Sequence, residues 1–307
     1  GLGPRDVGAR SPLGKEAAMT VRACEVCSGE SSLITLDDQA RLYRCAECGH
    51  VERDLALSPA YARDVEYGEG PGGTVRIELT FRRLLRRLPD LSPPGPILEV
   101  GCGPEASLAH RLVKAGYEVV GIDPNVSTGE MAGVQLVRAG LNSTTGEVLR
   151  DISGQPSTGY RVATAIHVLE HIYDLNVALQ VLHSQLSEGG SFYAITPAGD
   201  SRALARYGSA WWMLEDPTHI RFFSEQSLGI ALRRAGFENI RIRRLITDSM
   251  ATDSATIIRR LRPRNRPKGV LDQTSTRAIS MATLPVALAS RVASRRWRSV
   301  LEVVAER

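Results

Sequence analysis

The stretch PILEVGCGPEAS, residues 96 to 107, sets the tightest limit on what this chain can fold into. An aliphatic run stops at Gly101, and a second glycine follows at Gly103. A buried strand that breaks at closely spaced glycines and re-enters as a helix is how a parallel sheet makes room for a nucleotide at its carboxyl edge. The pattern then repeats along the chain. Apolar strands are expected at 97–100, 118–122, 161–166, 191–196, 239–246 and 299–306, with a short one near 143–148. Helices are expected at 107–115, 128–140, 174–187 and 224–235. Strands alternating with helices predict an α/β protein: a Rossmann-like sheet of seven strands with helices on both faces.

The loop alone does not choose its ligand. Gly101-x-Gly103-x-x-Ala106 satisfies the loose dinucleotide fingerprint, and Asp123 lies 20 residues after Gly103, where a carboxylate would meet ribose hydroxyls. Glu99 breaks the tie. A carboxylate inside the strand, two places before Gly101, would repel a pyrophosphate but suit the ammonium of S-adenosylmethionine (SAM), which has no phosphate.

Four of the five cysteines form CEVC (Cys24, Cys27) and CAEC (Cys45, Cys48), with 17 residues between the pairs. Two such knuckles suit a closed four-thiolate zinc site, structural because no position is left open. The competing reading is a pair of disulfides, which a cytoplasmic setting disfavours. The expected organisation is a disordered leader at 1–19, a zinc ribbon at 20–54, a linker and basic amphipathic helix at 55–92, and the main domain at 93–250. A basic helical insert at 251–296 and a last strand at 297–307 complete it. Residues 1–19 lack the apolar core of a signal peptide, and no run approaches about 18 apolar residues, so the cytoplasm is the expected compartment.

Of 307 residues 43% are hydrophobic and 23% charged, with a formal charge of +4. The insert holds ten cations against Asp253 and Asp272, so the rest of the chain is mildly acidic. A local cationic segment beside the apolar run MATLPVALAS points to an anionic or lipid-linked substrate, or to a solvated surface, rather than to general nucleic-acid affinity. Nothing in the residues sets an oligomeric state.

Four segments in order, ILEVGCGP…GYEVVGIDPN, VATAIHVLEHIYD, LSEGGSFYAITPAG and WWMLEDPTHIRFFSEQSLGIALRRAGFENI, resemble the class I SAM-dependent methyltransferases of the ubiquinone and glycan type. A four-cysteine ribbon followed by a Tyr-bearing linker is similar to the N-terminal part of many relatives. The resemblance implies that Glu99, Gly101 and Gly103 cradle the methionine part of SAM and that Asp123 holds its ribose. It implies Glu147, with Asp151 as alternative, at the adenine amine, and His167 over the cofactor. Glu105 stands where family loops often have glycine, and Arg161 replaces the usual aspartate at the start of the fourth strand.

For a hydroxyl acceptor the reaction needs a positioned base of near-neutral pKa. His219, in DPTHIRFFS, and His171, in LEHI, are the candidates; the functional reading of His219 is favoured over that of a core histidine capping the next helix. Related sugar methyltransferases carry a similar His-x-x-x-Phe-Ser in the acceptor pocket. Trp211 and Trp212, with Tyr61 and Tyr67 of the linker, are candidate acceptor contacts, the tryptophans either stacking on a ring or packing a lid. The leading reading is O-methylation of a small glycosyl, natural-product or quinone-type acceptor. An RNA base methyltransferase and a non-catalytic partner subunit of the same fold are the alternatives. The ribbon's four arginines and single tyrosine make a poor footprint for RNA, so nucleic acid is not the expected partner.

Overall fold

The computed structural model describes residues 21–36, 41–55, 73–91, 95–141, 159–261 and 273–307. The N-terminal strands are β1 (Val21–Ala23), β2 (Glu30–Thr35), β3 (Arg41–Cys45) and β4 (Val51–Arg53), an antiparallel meander that brings the two cysteine knuckles together. Helix α1 (Gly73–Leu91) follows and buries Leu84 and Leu88. Its Arg83 and Arg87 reach Asp248 and the buried Glu302, so these cations are engaged within the protein.

The main sheet is built from β5 (Ile97–Val100), β6 (Val119–Asp123), β7 (Gly129–Met131), β8 (Val134–Arg138), β9 (Tyr160–Ile166) and β10 (Leu186–Pro197). A two-residue strand, β11 (Arg221–Phe222), comes next in the chain, then β12 (Glu238–Arg244) and β13 (Val300–Glu306). The order across the sheet is β12-β13-β10-β9-β5-β6-β8-β7. Strands β8, β6, β5, β9 and β10 are parallel, and β13 runs antiparallel between β10 and β12. From β5 the chain winds outward through β6 and β8, then restarts at β9 on the other side. That reversal opens a crevice beyond the carboxyl ends of β5 and β9.

The expected Rossmann-like fold is present as a sheet of eight strands; the short strand expected near 143–148 lies outside the described residues. Residues 128–140 are not a helix. They form the hairpin β7–β8, turning through Ala132 (φ +50°) and Gly133 (φ +83°). Positive φ at both turn residues matches the twist of a tight hairpin. Val134 and Leu136 are buried while Gln135 is exposed, a period of two.

Helices α2 (Ser107–Lys114), α3 (Leu175–Gln185) and α5 (Glu225–Arg234) cover the sheet, with the short α4 (Arg202–Tyr207) after β10. The insert forms two helices, α6 (Thr247–Leu261) and α7 (Gln273–Ala293). No helix among the described residues is long and apolar enough to cross a membrane.

The N-terminal meander does not stand apart. β4 pairs antiparallel with β11, so its sheet is β1-β2-β3-β4-β11, and the fifth strand belongs to the loop that follows β10. The joint is polar and buried. Arg221 forks onto Glu25 at 2.7 and 2.9 Å, and His50 Nε2 lies 2.8 Å from the same carboxylate. Ser224 caps α5 and donates its hydroxyl to the Cys48 carbonyl, which ties the second knuckle to that helix.

Candidate active site

The turn after β5 borders one side of the crevice. Gly101 (φ +70°) and Gly103 (φ +68°) occupy left-handed backbone, where a side chain is strained. A Cβ on Gly101 would collide with Val168, in the turn after β9, so the two turns meet there. A Cβ on Gly103 would meet none of the described residues within 4 Å, so among them that glycine faces open space. Asp123 ends β6 and accepts from the Gly103 N–H at 3.1 Å and the Asn125 N–H at 2.8 Å, so its carboxylate is fixed beside the turn.

Glu99 is buried, and its Oε2 has no hydrogen-bond partner among the described residues. Burial pushes its carboxyl up to about 8; the nearby Asp123 adds to the rise, and a hydrogen bond from the Ala109 backbone opposes it. An orphaned buried acid oxygen, next to a glycine turn that opens on space, fits a cationic ligand. The residues present therefore fit SAM: Glu99 toward its ammonium, Asp123 toward its ribose. Glu105 is exposed in the same turn. Arg161 covers Gly95 and points toward the Glu188 carbonyl at the start of β9, the opposite end of that strand from the crevice. Glu147, Asp151, Tyr61 and Tyr67 lie outside the described residues.

The other side of the crevice is built from the turn after β9 and the loop before β11. His167 follows β9 with φ +55° and its amide bonded to the Ile195 carbonyl, a strained setting for a non-glycine residue. Its Nδ1 donates to Glu170 Oε1 at 3.1 Å, and Thr196 donates to Glu170 Oε2 at 3.1 Å. Glu170 is fully buried. Burial alone would raise its pKa, but the His167 hydrogen bond, with the charges of His167, His171 and His219, outweighs it and holds the carboxyl down at about 2.

His171 and His219 face each other, ring centres 4.6 Å apart. His171 Nδ1 lies 3.1 Å from the Thr218 carbonyl and 2.9 Å from the Thr218 hydroxyl, which donates to Asp216 Oδ1 at 2.5 Å. His219 Nδ1 donates to the Met213 carbonyl at 2.7 Å. That bond places the proton on Nδ1 and leaves Nε2 as the acceptor nitrogen, 3.8 Å from Asp216 Oδ2. The His219 side chain keeps 12% exposure. Burial lowers its pKa below the ordinary histidine value, against the opposing pull of Asp216 and Glu170. One acceptor atom from each of Glu170, His171 and His219 falls within 4.8 Å of the others.

The ribbon holds this loop from beneath. Arg53 of β4 donates from Nε to the His219 carbonyl at 3.0 Å and from Nη2 to the Asp216 carbonyl at 3.3 Å. Arg221 also reaches the Leu169 and Tyr173 carbonyls, linking the two histidine-bearing segments. Glu170, Asp216, Arg53 and Arg221 were not singled out in the sequence. Glu170 alone left a local trace, an acid beside His171 at the end of a buried strand.

Of the two tryptophans, Trp211 does not fit an acceptor contact. Trp211 is fully buried and packs on Phe222, ring centres 5.1 Å apart, so its indole offers no stacking face. Trp212 is half-buried against Ala255 and Ile258 of α6, and its amide donates to Thr256 Oγ1. Trp211 is spent on packing, and Trp212 joins this loop to the insert while remaining partly exposed.

The four cysteines converge, with all four sulfurs within 4.8 Å of one another. Cys24–Cys48 is 3.7 Å and Cys27–Cys45 is 3.4 Å, and all are free thiols, so disulfides are not formed. A zinc tetrahedron with bonds of about 2.3 Å has edges of roughly 3.8 Å, close to these separations. Backbone N–H groups of Val26, Gly29 and Cys48 point at cysteine sulfurs, the outer-shell donors such a site uses.

No curated protein matches the chain. Among solved structures, a SAM-dependent methyltransferase from Archaeoglobus fulgidus is 18% identical, covering 77% of this chain and 97% of its own, with a TM-score of 0.46. A SAM-dependent methyltransferase from Mesorhizobium loti is 16% identical over 74% of this chain and 96% of its own, TM-score 0.45. A cyclopropane synthase from Mycobacterium tuberculosis is 15% identical over 76% and 84%, TM-score 0.45. A family profile described as a methyltransferase domain matches residues 75–242, more than half of the chain, and with the glycine turn, Glu99 and Asp123 in place the protein belongs to that family of SAM-dependent methyltransferases.

Proposed function

We propose that the enzyme methylates a hydroxyl oxygen of a small glycosyl, natural-product or quinone-type acceptor, with His219 as general base. SAM, when bound, supplies the electrophilic methyl group. The observation that carries the reading is the 2.7 Å bond from His219 Nδ1 to the Met213 carbonyl. It fixes the tautomer so that Nε2 accepts the hydroxyl proton as the oxygen is methylated. The lowered pKa keeps that nitrogen unprotonated at neutral pH, and Asp216 and the anionic Glu170 stabilise the imidazolium that forms. His171, aligned by Thr218, is the second candidate for the same proton and orients the first.

The four-cysteine cluster is read as a structural zinc site that stiffens the ribbon beneath the His219 loop. Small-molecule chemistry is favoured over RNA because the ribbon's Arg22, Arg44 and Arg53 are committed to Glu52, the Gly199 carbonyl and the His219 loop. His219→Gln is expected to leave SAM affinity intact and to cut turnover by about 10²–10⁴-fold. The acid limb of the wild-type rate profile should lie below the usual histidine value of about 6.5 and vanish in the variant. Near-normal turnover in His219→Gln, with loss in His171→Gln, would move the base to His171. Full activity in both would remove the hydroxyl-acceptor reading.

A further inference from the structure

We propose that the outward face of α7 docks on an anionic lipid surface. The helix is two-sided. Its inner face seats on α6: Ile279 packs on Ala255 and Ile258, Ala287 is buried, and Arg291 is turned wholly inward, donating to the Ser249 carbonyl at 3.1 Å. Its outer face carries Met281, Leu284, Leu288 and Val292, spaced three and four apart on one stripe, with Val286 to one side. These five side chains are between 46% and 77% exposed. From Ala278 to Ala293 the only charged residue is Arg291, which points into the protein, so the exposed surface of this stretch is uncharged. The stripe runs over about 17 Å of helix. An apolar surface of that length, kept in water by a folded scaffold, marks a binding face.

The charges around the stripe choose the occupant. At the end of α6, Arg260 and Leu261 are exposed, and beyond the far end of α7 Arg296 is exposed and Arg295 pairs with Glu225. Cations at both ends of an uncharged apolar stripe are the pattern of a helix lying in a headgroup layer, apolar face down and arginines on lipid phosphates. A second copy of the chain would bring the same cations against each other. A soluble polyanion would leave the stripe exposed.

The placement matters for the site. Arg259 of α6 donates to the Trp211 carbonyl at 2.8 Å and pairs with Glu215 at 2.6 Å, which fastens α6 to the segment leading to His219. A surface bound by α7 would therefore lie beside the acceptor loop. The inference stands apart from the choice of acceptor, because it is read by binding without turnover.

The test is co-sedimentation of the full chain with vesicles of phosphatidylcholine alone and of phosphatidylcholine with phosphatidylglycerol, at low and high salt. Binding is expected to the mixed vesicles, weakened by salt. The triple variant Met281→Gln, Leu284→Gln, Leu288→Gln should lower the partition coefficient about tenfold or more. All three side chains are exposed, so its melting temperature and SAM affinity should match wild type. Arg260→Glu with Arg296→Glu should weaken binding to anionic vesicles and leave that to neutral ones unchanged. Equal partition to both vesicle types, no partition to either, or full binding by the triple variant would overturn the proposal. So would light scattering that shows a wild-type dimer converted to monomer by the triple variant, since a second copy would then own the face.

Discussion

Glu99 offers a test of the cofactor site that does not depend on catalysis. Its carboxyl sits at about 8 because burial disfavours the charged form, and its Oε2 has no hydrogen-bond partner among the described residues. At pH 7 it is therefore about nine-tenths protonated. If the SAM ammonium settles against it, the pair binds as ions and the carboxyl returns toward its ordinary range near 4.5. Binding then releases about 0.9 proton at pH 7 and close to one at pH 6. The SAM Kd should consequently fall about tenfold from pH 6 to pH 7, some 1.4 kcal/mol per unit. An α-amino group titrates near 8, so the ligand keeps its charge across that window. Titration calorimetry at pH 6.5 in buffers of different ionisation enthalpy measures the released proton directly. Glu99→Gln cannot release it and should flatten the pH dependence. A wild-type Kd that is flat from pH 6 to 7, or a slope that survives in Glu99→Gln, would refute the reasoning and assign any proton release to another group.

Asp123→Ala removes a carboxylate held by two backbone amides at the edge of the turn, and equilibrium dialysis should show SAM weakened by about 1.5–3 kcal/mol; unchanged affinity would mean that the ribose lies elsewhere. Metal analysis should give about one zinc per chain, and chelation should disorder the ribbon and depress turnover together, because β4 is hydrogen-bonded to β11 and Arg53 holds the His219 carbonyl. Turnover that survives complete metal removal would uncouple the two. Glu25 and Glu170 are both held at about 2, below an unfolded value near 4.3, so the stability they contribute is complete above that value and is lost as pH falls from about 4.5 toward 2. Urea midpoints at pH 7, 4 and 2.5 should fall in that order, and Glu25→Gln should lessen the drop; a midpoint independent of pH would contradict it.

The features legible in the sequence are those encoded within a few residues. The strand that ends in Gly101 and Gly103, the acid one strand later at Asp123, and the paired cysteine knuckles each state their chemistry locally. The parallel sheet with its crevice follows from that alternation. The hairpin at 129–138 also carries a local signal, the period of two in Val134-Gln135-Leu136 behind Ala132-Gly133. Other features depend on residues far apart in the chain, where periodicity carries no information. Strand β4 finds β11 some 170 residues later, and Glu25, His50 and Arg221 are brought together only because that pairing forms. Trp211 sits in the core because Phe222 folds back on it, and the same two tryptophan letters at a surface would stack on a ligand. Glu170 gains its charge from histidines on both sides of a crevice that exists only once β9 and the β11 loop meet. A residue's type and near neighbours determine what chemistry it can offer; burial and distant partners decide whether that chemistry is spent on packing or left facing the acceptor.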